Sequence, residues 1–509
     1  MQDLGTRVLV SKPVDRSEQI NKFNDVLNRI RRNRPVSSTL FEWYGPPGIG
    51  KSTLINLLQG ECKKKKVPWI LVDFAESGAK ARKYLDDPTV LLQDMLADLV
   101  EKVQIDRDSL SGKIEQYRIS SPPQAVIRAY FKLSHNERLY NKPDWLTTLQ
   151  EVTIEFVGLI RGLTQLDQDR IQPIAIFFDE TEEADIELVD WIEEKVINPL
   201  VQLKHCVIVW TARRPWRWKR PEIRQRLQSE RLPVFEEEEV KEQFRSSSST
   251  PDLAELFFKN IHVVTDGHPF ANAVVISQLN AWEAQGQALT SEYFSGHEME
   301  LLREIFHHFI RDYAFKKLKS DEQTACELLA LVRLFDTTML RKILKACGGE
   351  EFKEWSQEDF GDLLLRLKKT QLLVWDKGYA LDPALRYLIR NYFSVCEVET
   401  YLEINRVALV VYQNWLEKPV DNRNLFVIEE LYHYASLHQA GEQVNLEAEM
   451  AKRLQQYFGW IKDNEALRNA LERLEGELKH DSELKRLTSG ISSTTLVEQI
   501  QIFLAELPV

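Results

Sequence analysis

Gly45–Pro46–Pro47–Gly48–Ile49–Gly50–Lys51–Ser52 fits the spacing G-x-x-x-x-G-K-[ST]. A short apolar run, residues 39–44 (TLFEWY), leads into it, and residues 53–58 continue it as a helix. Each residue type has a task there. Glycines let main-chain N–H groups turn inward around a phosphate with no Cβ in the way. The helix start adds about half a positive charge from its aligned peptide dipoles. An ammonium at Lys51 bridges β- and γ-phosphates, and the Ser52 hydroxyl takes one magnesium position. At ordinary residue frequencies the pattern arises by accident only about 0.02 times in such a chain. Residues from Gly45 to Thr53 are therefore read as a triphosphate cradle rather than a chance glycine turn.

Such a cradle needs an acidic partner at a neighbouring strand end. Residues 171–178 (IQPIAIFF) form an apolar strand that ends in Asp179 and Glu180. Asp179 holds Mg2+, directly or through water, and Glu180 polarises the water that attacks the γ-phosphate. Glu182 and Glu183 crowd the same loop. Residues 67–74 (VPWILVDF) and 205–210 (HCVIVW) read as further buried strands. Helical stretches at 17–31, 90–103 and 145–163 alternate with them, the order of a parallel α/β sheet. Residues 106–142 show no clean period and are read as helix plus loop. Thr211, Ala212 and Arg213 follow the fourth strand, where a guanidinium can detect a γ-phosphate through a charge-assisted hydrogen bond.

Beyond residue 253 the pattern is almost wholly helical. The turn Thr265–Asp266–Gly267–His268–Pro269–Phe270 interrupts it, with Gly267 closing one helix and Pro269 opening the next. A rigid turn of that kind can set a proline ring against an adenine. Residues 359–367 (helix), 371–375 (strand), the turn Asp376–Lys377–Gly378, 379–381 (strand) and 383–393 (helix) read as a winged helix. The remainder, 398–509, is helical, with an apolar stripe at Phe426, Ile428, Leu431, Tyr432, Tyr434 and Ala435.

Composition excludes several classes. The 509 residues carry 66 Lys and Arg against 78 Asp and Glu, a net charge of −12, which disfavours non-specific binding to a nucleic-acid backbone. No apolar run spans a bilayer, and the start lacks a secretory pattern. Five single cysteines give neither a disulfide framework nor a zinc site and suit a reducing, cytoplasmic setting. Residues 213–226 mix cations with tryptophan and are read as a structural or subunit contact ahead of an arginine finger or a nucleic-acid surface. Residues 63–66 (KKKK) are read as a solvated tip and 246–250 (SSSST) as a linker. Between Glu358 and Phe393, six Lys and Arg face five Asp and Glu, too weak a footprint for DNA.

The order of these elements resembles the STAND class of AAA+-related P-loop NTPases, which includes the NB-ARC and NACHT groups. The resemblance covers roughly residues 10–395. Val14–Asp15–Arg16–Ser17 is similar to that class's h-h-G-R-E segment, which places Arg16 near the nucleotide base; Asp15 and Ser17 depart from the pattern. Ala380–Leu381–Asp382 stands where NB-ARC proteins carry Met-His-Asp, with Leu381 in place of the histidine. The resemblance implies an α/β P-loop NTPase with parallel sheet order 5-1-4-3-2, at residues 1–235. A helical lid (236–292), a winged helix (293–395) and a C-terminal helical domain, TPR-like or a bundle (396–509), follow. It also implies an ATP/ADP·Mg2+ switch, a slow ATPase that controls assembly with a separate protein through the C-terminal helices, in bacterial defence or regulation. Nucleotide-dependent self-assembly belongs to the same picture. ATP over GTP also follows from the lack of an Asn/Thr-Lys-x-Asp motif at a strand end. The implied nucleotide contacts are Arg16, Gly45, Pro46, Pro47, Gly48, Ile49, Gly50, Lys51, Ser52, Thr53, Thr211 and Pro269. Lys51, Glu180 and Arg213 are the catalytic set, and Ser52 and Asp179 hold the metal. With the NTPase so close to the start, the effector is expected on another polypeptide, or the chain is itself an adaptor. The alternative is a DNA-binding AAA+ regulator or loader that uses the winged helix and residues 213–226.

Overall fold

A computed structural model describes residues 16–74, 83–100, 144–164, 172–248, 253–375, 377–417, 423–441, 445–458, 461, 464–488, 497–498, 500–502 and 505. Val14, Asp15, the 106–142 segment, Asp376, the end of the 246–250 stretch and most of 489–509 lie outside these. The chain divides into two compact units, one of residues 6–258 with 267–273, the other of 1–5 and 259–266 with 274–509.

In the first unit, β1 (Leu40–Tyr44), β2 (Trp69–Asp73), β3 (Ile174–Asp179), β4 (Cys206–Ala212) and β5 (Leu227–Arg231) form one sheet in the order β2-β3-β4-β1-β5. All four pairings are parallel. This is the expected order 5-1-4-3-2 read from the other edge. Side chains alternate between faces with the period of two that a pleated strand imposes. Phe41, Trp43, Phe177, Val207 and Val209 meet the stripe Phe23, Val26, Leu27, Ile30 of α1 (Ser17–Arg31) and Leu54, Ile55, Leu58 of α2 (Lys51–Lys65). Leu40, Ile174, Ile176, Phe178, Ile208 and Trp210 face the other way, toward α3 (Pro88–Val100) and α4 (Asp144–Thr164). Both faces are thus covered, which is why these strands read as continuous apolar runs.

Two local readings need correction. Hydropathy locates four strands; the fifth, Leu227–Arg231 (LQSER), is a partly exposed edge strand beside β1 and carries no apolar run. Residues 246–247 are not linker but the last turn of the helix Glu237–Ser247, where the Ser246 hydroxyl donates to the Gln243 carbonyl at 3.0 Å. Residues 63–66 do form a solvated tip between α2 and β2: Lys63, Lys64 and Lys66 are exposed at the end of α2, where cations suit the negative end of the helix dipole.

In the second unit, helices Ser320–Leu329, Thr337–Cys347 and Gln357–Lys369 precede the antiparallel hairpin of β6 (Leu373–Trp375) and β7 (Tyr379–Leu381). Phe335 adds a bridge to Tyr379, and the helix Pro383–Cys396 follows. These elements lie where the helix-hairpin-helix reading put them. Helices Val398–Leu416 and Arg423–Gln439 pack on each other, and Leu446–Phe458, Asn464–His480 and Ser482–Leu487 close a core around Leu431, Tyr432, Leu454, Leu471 and Leu474. Among the described residues no helix is long and apolar enough to cross a membrane.

Candidate functional site

The loop 45–50 leaves the carboxyl end of β1 and turns through left-handed φ at Gly48 (75°) and Gly50 (97°), conformations that glycine adopts without strain. Gly50 caps α2, so the first N–H groups of that helix have no intrahelical acceptor and point into the loop. Lys51 is buried, and its ammonium donates to the carbonyls of Gly45 (2.9 Å) and Pro46 (3.2 Å). Burial pushes its pKa below the usual lysine value, with Glu182 the foremost opposing influence. Ser52 and Thr53 are exposed at the mouth.

Asp179 ends β3 two strands away. Its carboxylate accepts from the Thr211 hydroxyl on β4, from the Glu180 N–H at 2.9 Å, and from the Ser52 hydroxyl. Burial raises its pKa despite these bonds. An Mg2+ ion uses one or two protein oxygens and completes its shell with phosphates and water. The Ser52–Asp179 pair fits that chemistry. Among the described residues no group of three or more His, Cys, Asp or Glu forms a cage that would suit another metal.

Glu180 follows in the left-handed region (φ 49°). Its pKa rises to about 7, first through burial and then through Glu182, Asp179 and Asp73. A carboxyl raised in this way is disfavoured as an anion in the fold, so stability falls as pH climbs from its ordinary value near 4.5 through 7. Glu180→Gln is accordingly expected to melt higher than the parent at pH 8 and alike at pH 4, read by thermal denaturation at both; equal shifts at both would show that the carboxylate is not strained.

Arg213 lies beyond β4 and pairs with Glu182 (Nε to Oε1, 3.1 Å) and Glu183 (3.5 Å). Glu182 therefore stands between the two cations of the site. Sequence spacing alone shows Glu182 only as one of several crowded acids, because its role depends on where β4 delivers Arg213.

Arg16, just before α1, is buried. It donates to the carbonyls of Ile49 (2.8 Å) and Pro233 (3.0 Å) and lies 4.7 Å over the Phe235 ring. Burial lowers its pKa to about 10, so it stays charged at neutral pH and braces the loop from behind. His268 was not among the expected contacts, yet its Nε2 lies 3.1 Å from the Pro47 carbonyl in a fully buried position. Burial takes its pKa down to about 3, which leaves a neutral ring whose Nε2–H can donate to Pro47. Pro269 is itself buried, and its carbonyl accepts from Gln243 at 2.8 Å. Gly267 has φ 69°, and a Cβ there would lie 1.9 Å from the Phe235 carbonyl oxygen. Gly267→Ala is expected to cost roughly 3 kcal/mol or more of stability, measured by urea denaturation, because the turn must open and break the Phe235 N–H to Gly267 bond of 2.9 Å.

The basic-aromatic stretch is explained by two buried glutamates. Glu42 sits on β1 and accepts from the Trp216 N–H (2.8 Å), the Trp218 indole (3.1 Å) and the Ser229 hydroxyl. Glu193 accepts from the Trp216 indole (3.1 Å) and the Arg220 N–H (2.9 Å). The two indoles are thereby turned toward the sheet, with Trp218 stacked edge-on to Trp210. This agrees with a structural role for the segment.

The sequence matches no family model and no curated protein. Among solved structures it is similar to Cdc6p from Pyrobaculum aerophilum, with 11% identity over 76% of this chain and 97% of that one and a TM-score of 0.34. A second is ORC1 of Aeropyrum pernix in complex with DNA, at 12%, 77% and 97%, TM-score 0.34. A third is a Signal Transduction ATPase with Numerous Domains protein with a tetratricopeptide repeat sensor from Pyrococcus horikoshii, at 13%, 96% and 66%, TM-score 0.26. Likeness at this level says nothing of function. The strand order and the loop after β1 give the first unit the fold of an α/β P-loop NTPase.

Proposed function

We propose that the chain is an ATP-binding switch of the STAND type, in which exchange of ADP for ATP controls assembly with a separate protein. The observation that supports it is the convergence of Lys51, Ser52, Asp179, Glu180 and Arg213 at the carboxyl ends of three adjacent parallel strands, the position where such sheets receive ligands. In this reading the loop amides and Lys51 hold the β- and γ-phosphates, and Ser52 and Asp179 hold Mg2+, which offsets phosphate charge when bound. Glu180 orients the attacking water, and Pro269 lies near the base. Arg213 senses the γ-phosphate, which competes with Glu182 for the guanidinium. Residues 236–292 act as lid, 293–395 as a winged helix, and 396–509 carry the partner contact. The two states differ by only a few kcal/mol, so a ligand of modest differential affinity selects between them.

The test is solution mass by light scattering with ADP and with a non-hydrolysable ATP analogue. A larger species with the analogue alone, absent from Lys51→Ala, is expected; the same mass in both states would sink the switch. The same site predicts that Glu180→Gln slows hydrolysis on the order of a hundredfold while binding persists. Unaltered turnover would make the nucleotide a structural ligand.

A second reading, DNA binding, draws on Trp375, 66% exposed on β6, with Lys377 at the hairpin turn. Retention on duplex DNA that falls steeply with salt would favour it.

A further inference from the structure

The amino-terminal ends of the same strands hold a second concave site. A pocket of about 350 Å3 opens between the end of α1, the start of β1 and the start of β4. Arg34, Lys204, His205 and Arg226 line it together with Asn33 and Thr39, and no carboxylate appears among its described lining residues. In a chain of net charge −12, four cationic or protonatable side chains around one hollow run against the average surface. Arg226 is fixed by its bond to the Val36 carbonyl at 2.7 Å.

Thr39 supplies the independent sign of a ligand. Its N–H donates to the Arg226 carbonyl (3.1 Å) and its carbonyl accepts from the Ile208 N–H (2.8 Å). The residue is 2% exposed, and its hydroxyl is buried with no hydrogen-bond partner. Buried hydroxyls ordinarily find partners, because an unmade bond forfeits hydration with nothing in return. Thr39 lines this basic pocket, and an anion seated in it would give the orphan hydroxyl a partner.

We propose that this pocket is a second anion site, built for a small phosphate-bearing molecule and separate from the loop at 45–52. β1 separates the two, since Thr39 precedes its first residue and Gly45 follows its last, a run of roughly 17 Å. The volume suits a compact phosphorylated ligand, within the range of small-molecule pockets. The buried donor favours it over the backbone of a nucleic acid, which would contact the exposed Arg34 and Lys204 and have no use for Thr39.

Inorganic pyrophosphate titrated into the full-length Lys51→Ala protein by calorimetry tests this, since that background removes the main phosphate contact of the first site. One binding event is expected. Arg34→Gln with Lys204→Gln should abolish it, and the near-isosteric Thr39→Val should weaken it by about tenfold, the effect of one hydrogen bond to a charged group. Absence of binding, or binding indifferent to the double change and to Thr39→Val, would overturn the proposal. So would retention of a duplex DNA oligonucleotide that needs Arg34 and Lys204 but not Thr39.

Discussion

Lys51→Ala is expected to weaken ATP binding on the order of a hundredfold or more while the sheet stays folded. The ammonium is held by the Gly45 and Pro46 carbonyls at 2.9 and 3.2 Å, so the loop keeps a cation in a buried place. Burial and the nearby Arg213 both disfavour the charged form there, and a triphosphate relieves that strain directly. Alanine removes the charge and leaves the apolar packing of Leu54, Ile55 and Leu58 beneath α2 unchanged. Calorimetric titration with ATP and ADP, set beside the melting temperature of each protein, measures both halves. Undiminished affinity would end the phosphate-cradle reading.

The second large effect lies in the other unit. Arg333→Met is expected to destabilise it by about 3–5 kcal/mol, seen as a lower denaturation midpoint. Arg333 is 9% exposed and makes a two-pronged pair with Glu429 at 3.1 and 2.8 Å. Its remaining amine meets Asp481 at 2.6 Å, and its guanidinium lies 4.3 Å over the Tyr432 ring. Methionine keeps much of the volume but strands two carboxylates, one of them on Glu429, which is 3% exposed. Removing Glu429 as well, as Arg333→Met with Glu429→Leu, should recover much of the loss, because an apolar pair then replaces a broken ionic one. A single change that costs under about 1 kcal/mol would show the pair to be idle.

What was legible in the sequence follows range of interaction. The loop 45–52, the acidic end of β3 and the hairpin after Gln357–Lys369 are written in neighbouring residues, where spacing and turn chemistry suffice. Glu42 was hidden inside an apolar run. Only the pleat that turns it toward Trp216 and Trp218 shows it as the anchor of the basic stretch. β5 was invisible for a related reason: an edge strand satisfies its backbone on one neighbour and needs no apolar signature.

By itself, the order of residues determined a parallel sheet with a glycine-lined loop, a lysine and serine at its exit, and an Asp-Glu pair at a second strand end. Tertiary structure decided which groups surround them. It set Glu182 between Lys51 and Arg213, Arg16 behind Ile49, and His268 against Pro47, 221 positions apart in the chain. Local propensity can specify a turn or a helix start, but the electrostatic surroundings of a charge depend on strand register and helix docking, which no window of neighbouring residues contains.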